Sequence, residues 1–204
     1  MITLYHSPYS CSLAVKAALV AVGEEFETQT ISLSEGEHLK DEYLQINPMG
    51  KVPALKINGE VLTEGAAINQ FLAERYPEAK LMPENGTLKK ANALKWLHFL
   101  YSSFHAAFSR AFFPERFGKE TSSIKQLAEE DVHKYLKIID QELAKNEFIA
   151  GDHLSLADLY LMAAIHWEKV LAKPIMANYK NIARFEQSIF SLPKIGQVYK
   201  EEYQ

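Results

Sequence analysis

The periodicity of the chain changes once, near Pro77, and that change limits what the sequence can fold into. Upstream of it, short alternating runs bounded by turn residues interleave with helical patterns; downstream, no convincing strand remains. Ile2–His6 reads as a short strand. Ser7-Pro8-Tyr9-Ser10 is turn chemistry, and Ser12–Val22 is a helix closed by Gly23. Phe26–Leu33 alternates as a second strand, residues 34–47 are polar with room for one helical turn, and Val52–Ile57 is a third strand. Asn58-Gly59 is a strong two-residue hairpin signal, so Val61–Thr63 pairs back. Glu64–Tyr76 is a helix stopped by Pro77. A βαβ unit makes a parallel pair through its helical crossover, and a ββα unit adds an antiparallel hairpin. The expectation is a four-stranded mixed sheet.

Residues 77–86 hold two prolines and a glycine and read as a linker. Residues 88–113 carry Leu94, Leu97, Tyr101, Phe104 and Phe108 at helical spacing, and residues 124–145 repeat the pattern with Ala128, Val132, Tyr135, Ile139 and Leu143. Residues 155–170 are apolar nearly all round, as a buried central helix is. Residues 182–190 and 194–203 form shorter terminal helices. The fold class is therefore α/β plus all-α, with domains over 1–77 and 87–204 joined by 78–86. The 204 residues suffice for two small domains.

Composition excludes several alternatives. No apolar run approaches the ~18 residues of a spanning helix, so no membrane association is expected. Met1–His6 lacks a basic region and a cleavage site, so no secretory signal is read. The single cysteine, Cys11, rules out an intramolecular disulfide and paired-cysteine zinc sites, and fits a reducing compartment, most simply the cytosol. A net charge of −4 argues against a nucleic-acid partner. Residues 1–80 hold 6 Lys/Arg against 11 Asp/Glu, while the rest of the chain is nearly balanced, which again points to a boundary near residue 80.

The chemistry-bearing residues cluster at element ends. Cys11 opens the first helix, where backbone N–H groups and the dipole lower a thiol's pKa; the alternative is a small buried hydrophobe. Ser10 and Ser12 either cap that helix or hydrogen-bond a bound thiolate. Pro53 cannot donate to a sheet ladder, so it stands at an edge or strand start; a cis bond there would turn the Val52 N–H and C=O outward for an extended peptide. Glu64 suits a ligand's ammonium group and the N–H groups from Gly65 onward a carboxylate; alternatively Thr63 caps the helix. His98, Ser102 and His105 stand at i, i+4 and i+7, on one helix face, either as a polar row or as a solvated surface. Two histidines seven apart make a poor metal site, and no metal is expected. Ser155-Leu-Ala-Asp158 is a capping box, so Asp158 is read as structural.

Taken together, Tyr5-His-Ser-Pro-Tyr-Ser-Cys-Ser-Leu13, Asn47-Pro-Met-Gly-Lys-Val-Pro-Ala-Leu55, Leu62-Thr-Glu-Gly-Ala-Ala-Ile68 and the Ser155–Asp158 box resemble the cytosolic glutathione transferase family, over the whole chain. Ser10-Cys11-Ser12 is most like its bacterial beta class. The resemblance implies a thioredoxin-like first domain and a helical domain carrying the site for a hydrophobic electrophile. It implies a cis Pro53, Val52 pairing with the cysteinyl part of glutathione, Glu64 and Gly65 at its γ-glutamyl end and Lys51 toward its glycine end. Ser102 would join the glutathione contacts. Ser10, Cys11 and His105 would manage the thiolate. Glutathione is then co-substrate, the protein a cytoplasmic homodimer, and the reaction conjugation, with thiol–disulfide exchange through Cys11 as a further activity. Two departures stand out: Ser34-Glu-Gly-Glu-His-Leu-Lys40 lacks the early loop lysine common in the class, and Ala106 replaces a lysine after His105. Other readings on the same fold are a non-catalytic interaction module resembling the stringent starvation protein, and a zeta-like isomerase. Leu13-Ala-Val-Lys16, where the zeta class carries arginines, argues against the latter.

Overall fold

The computed structural model describes residues 1–203. They form two compact units: 1–82 with 190–203, and 83–189.

In the first unit, β1 (Ile2–His6), α1 (Ser12–Val22), β2 (Glu27–Thr30), the short α2 (Asp41–Leu44), β3 (Ala54–Ile57), β4 (Glu60–Thr63) and α3 (Gly65–Arg75) follow in order. The sheet order is β2-β1-β3-β4. β1 runs parallel to β2, with Leu4 opposite Thr28, and antiparallel to β3, with Leu4 opposite Leu55. β4 returns against β3 through a turn in which Asn58 (φ 51°) and Gly59 (φ 95°) are both left-handed, the geometry a two-residue hairpin requires.

Two strands are shorter than their patterns suggested. β2 keeps only Glu27–Thr30, all exposed, because it is an edge strand with one partner. β3 starts at Ala54 and not at Val52, since Pro53 has no N–H for the ladder. The unit's core is Leu4, Leu13, Leu19, Leu55, Ile68 and Leu72, all fully buried. α1 packs against α3 and also against α10 (Pro193–Tyr203). The sequence assigned α10 to the helical domain; it belongs instead to the first unit, because buried Val198 and Tyr199 complete the cover over α1.

The second unit holds α4 (Leu88–Phe99), a π-helical stretch (Leu100–Phe104), α5 (His105–Phe112), α6 (Thr121–Leu143), α7 (Leu156–Ile165), the short α8 (Ile175–Asn178) and most of α9 (Lys180–Ser191). Every residue of α7 is buried. Its first N–H groups are met by the expected capping box: Asp158 accepts from Ser155 N–H at 2.8 Å and Ser155 O–H at 2.6 Å. Its other oxygen takes Ile149 N–H at 2.7 Å, which ties the preceding loop to the helix start. The chain leaves α-helical geometry at Ile165, so the helix expected over 155–170 ends in a 3-10 stretch, His166–Val170.

Candidate active site

The first turn of α1 carries Ser10, Cys11 and Ser12. α1 opens without a side-chain bond from the residue at its N-cap, Cys11. Ser10 Oγ accepts Ser12 N–H at 3.2 Å, so Ser10 takes the capping role. Ser12 is fully buried and its hydroxyl serves a different purpose: it accepts Ser7 N–H at 3.1 Å and faces His6 Nδ1 at 2.7 Å. These bonds close the Ser7–Ser10 turn onto the strand that precedes it.

The segment before Pro53 is held as firmly. Gly50 is left-handed (φ 59°), and a Cβ there would stand 3.0 Å from the His38 carbonyl and 3.2 Å from Leu39, so glycine is required twice over. The Lys51 carbonyl accepts Tyr43 O–H and an Asn47 side-chain N–H, both at 2.7 Å. Buried Asn47 also takes Met49 N–H on its side-chain oxygen at 3.1 Å, an Asx-type turn. The Val52–Pro53 bond is cis, as the resemblance implied. Cys11 Sγ donates to the Val52 carbonyl at 3.5 Å, which joins this segment to the first turn of α1.

The third contributor is the β4–α3 junction. Glu64 occupies the N-cap of α3 at φ 64°, ψ 106°, with no side-chain capping bond. A left-handed non-glycine residue costs on the order of 1–3 kcal/mol and persists only where its surroundings demand it. Gly65 follows it, buried, at the helix start.

The electrostatics reverse one expectation. The helix start was expected to lower the Cys11 thiol. Burial pushes it up to about 12; the helix-start backbone N–H and Lys51 work against that rise, and Glu64 adds to it. Desolvation is the larger effect. In this state Cys11 is a thiol donor and not a thiolate.

The remaining residues belong to the second unit. Ser102 lies in the π stretch and is exposed, with Ser103 Oγ at 3.5 Å. His105 opens α5, and its Nδ1 is hydrogen-bonded to Tyr160 O–H of α7. Its ring packs edge-on to Trp167 at 5.1 Å. The expected single face through His98, Ser102 and His105 is not kept. A π turn holds one residue more than an α turn, which shifts the helical phase by about 100°. Phe108 is fully buried beside Trp167, whereas Phe112 and Phe113 are 40% and 41% exposed. Among the described residues, no group of acidic, histidine or cysteine side chains is arranged to hold a metal ion, and no helix is long and apolar enough to cross a membrane.

The residues overlooked in the sequence are those that hold others in place: His6, Tyr43, Asn47 and Glu202. Asn47-Pro48 was a readable turn signal. The other three depend on partners that no sequence spacing reveals.

Comparison with known proteins gives the same reading at both ends of the chain. The glutathione S-transferase N-terminal domain model matches residues 1–74 and a glutathione S-transferase C-terminal domain model matches 102–202. The glutathione S-transferase GstA of Escherichia coli O157:H7 is 28% identical over 202 residues, 98% of each chain. A sphingomonad glutathione S-transferase solved in complex with glutathione is 35% identical, with a TM-score of 0.86 over 98% of each chain. A bacterial beta class glutathione S-transferase from Sphingomonas chungbukensis is also 35% identical, with a TM-score of 0.86 and the same coverage. The chain belongs to the glutathione S-transferase family.

Proposed function

We propose that the protein binds glutathione at the first turn of α1 and transfers its sulfur to hydrophobic electrophiles. The observation that carries this reading is the convergence of two distant segments on Cys11: its thiol meets the Val52 carbonyl, and the charges of Lys51 and Glu64 both act on it. A scaffold has no need of that arrangement or of a strained Glu64. A backbone carbonyl beside a free thiol, with a cation and an anion both acting on that thiol, suits a peptide with charged ends. Val52 would take the cysteinyl part, Glu64 with the N–H groups after Gly65 the γ-glutamyl end, and Lys51 the glycine carboxylate. The roles of Ser102 and His105 rest on the resemblance in sequence.

The free thiol of glutathione is mostly protonated at neutral pH, so the enzyme gains by forming the thiolate and holding it beside the second substrate. Cys11, held as a thiol, serves better as a hydrogen-bond donor than as a nucleophile. That favours conjugation over disulfide exchange in the resting protein. With one cysteine, any mixed disulfide formed on Cys11 would need a second glutathione to release it. An isologous homodimer is the usual closed assembly and is proposed here, together with residence in the cytosol; light scattering reads the former.

The test compares wild type with Cys11→Ala. Calorimetry measures glutathione affinity, and turnover is followed with an aryl halide and with a mixed glutathione disulfide. The expected result is binding by both proteins, with conjugation kept and exchange lost in Cys11→Ala. Absence of glutathione binding by wild type at millimolar concentration would favour the interaction-module reading.

A further inference from the structure

His6 is 3% exposed, so both of its ring nitrogens must be accounted for. Nδ1 faces Ser12 Oγ at 2.7 Å, and Nε2, which has no hydrogen-bond partner among the described residues, lies at ion-pair range, 3.5 Å, from Glu202 Oε1 on α10. The same carboxylate oxygen takes Tyr9 N–H at 2.6 Å. Ser12 Oγ stands 2.6 Å from Ser10 Oγ. Four side chains thus form a line from a carboxylate on the last helix to the hydroxyl beside Cys11.

The protons along this line can be placed. Burial tends to raise the Glu202 carboxyl, but the facing His6, the Tyr9 N–H and the charge of Lys16 outweigh it and hold the group below its ordinary range. Of the charged groups on the elements around the pair, Lys16 of α1 is the one that acts on Glu202. A carboxylate at Nε2 selects the tautomer with its proton on that nitrogen. Nδ1 is then an acceptor, and Ser12 O–H donates to it at 2.7 Å in preference to the Ser7 carbonyl at 3.3 Å. The Ser12 lone pairs are left for Ser7 N–H and for Ser10 O–H. Ser10 has one proton and two inward acceptors, Ser12 Oγ and the Ser7 carbonyl at 2.7 Å. Half-buried Ser10 therefore offers a lone pair outward, which suits an S–H group better than a thiolate.

We propose that Glu202, His6 and Ser12 form a proton relay through which Ser10 takes up the proton of the bound glutathione thiol. The proposal rests on the assignment of glutathione to the first turn of α1. The S–H bond breaks as its proton passes to Ser10 Oγ. The proton already on Ser10 passes to Ser12 Oγ, and that on Ser12 to His6 Nδ1, where an N–H bond forms. Each serine ends with one proton, no electron changes owner, and the new imidazolium faces the Glu202 carboxylate. Ser10 now carries its hydrogen toward the sulfur and donates to the thiolate it has helped to form. Water collects the proton when His6 resets. Ser10 is the catalytic residue in this scheme; Ser12, His6 and Glu202 are positioning residues.

The experiment titrates the ultraviolet absorbance of the bound glutathione thiolate against pH in wild type, His6→Asn, Glu202→Gln and Glu202→Asp. S-methylglutathione has no thiol proton, so its affinity reports the integrity of the pocket alone. His6→Asn and Glu202→Gln are expected to raise the apparent pKa of the bound thiol by about one unit, giving about tenfold less thiolate and a matching fall in kcat/KM on the acid limb. S-methylglutathione affinity stays within about twofold, and Glu202→Asp restores most of the wild-type profile. Normal S-methylglutathione binding with an unshifted thiol titration would overturn the relay and leave the glutathione assignment standing. Failure of wild type to bind either ligand would overturn both. Nitrogen-15 NMR of wild-type His6 needs no variant: the Nε2–H tautomer supports the scheme, and the Nδ1–H tautomer overturns it.

Discussion

Glu64 shows what a single residue contributes that its type does not announce. Its left-handed backbone is a cost carried at the end of β4, and its carboxylate is the proposed anchor for an ammonium group. Glu64→Gly removes both. Stability is expected to rise by about 1 kcal/mol in urea unfolding. Glutathione affinity is expected to fall at least ~10-fold, as loss of a charge-assisted bond implies. A variant that binds as wild type does would remove Glu64 from the site. Cys11 makes the converse point. With its thiol pushed up to about 12, the reactive thiolate fraction keeps growing tenfold per pH unit beyond the range where an ordinary cysteine levels off, at ~8.5. Alkylation by iodoacetamide should therefore still be accelerating at about pH 10. A plateau near pH 9 would mean that the helix start, and not burial, governs the sulfur. The motif Ser10-Cys11-Ser12 was legible in the sequence, but the sign of the shift was not. Helix position is encoded locally, whereas desolvation comes from tertiary packing that brings distant segments, such as Val52 41 residues away, against the sulfur.

Elements were legible to the degree that local rules settle them. The hairpin at Asn58-Gly59 and the box at Ser155–Asp158 form as their residues dictate. The π stretch at 100–104 had no local signal, because an extra residue in a helix is accommodated by the packing on either side. The box allows a test at this scale. Burial pushes the Asp158 carboxyl up to about 6 from 3.8, against hydrogen bonds from Ser155 O–H and from the Ile149, Ser155 and Asp158 backbone that favour the carboxylate. In that window the folded state holds a proton that the unfolded chain has released. Raising the pH therefore disfavours folding: the contribution of Asp158 is fully present below 3.8 and is lost as pH rises through about 6. The stability of wild type relative to Asp158→Asn should decline across this range, by on the order of 3 kcal/mol. Urea unfolding at a series of pH values reads the slope; parallel curves would show that the capping bonds already hold the carboxylate charged.

At the scale of the molecule, the main departure from sequence order is α10. A chain read from left to right places the last helix with the helices before it, yet Tyr199 is fully buried in the first unit. Tyr199→Ala is expected to cost about 3–5 kcal/mol. Hydrogen exchange should show that loss in the amides of β1, β3 and α1, with those of α7 spared. Equal loss in α7 would argue against α10 as part of the first unit. The same helix supplies Glu202 to the His6 pair, so the proposed relay depends on a contact spanning nearly the whole chain. The sequence by itself determined the sheet-then-helices division, the strand and turn order, the capping box and the residues at the first turn of α1. Periodicity, turn chemistry and caps act over a few residues, and a few residues encode them. Only the tertiary structure decided that α10 joins the first unit, that Cys11 is a thiol, and that His6 lies between Ser12 and Glu202. Burial and buried ion pairs depend on which surfaces exclude water from which, and distant segments settle that together.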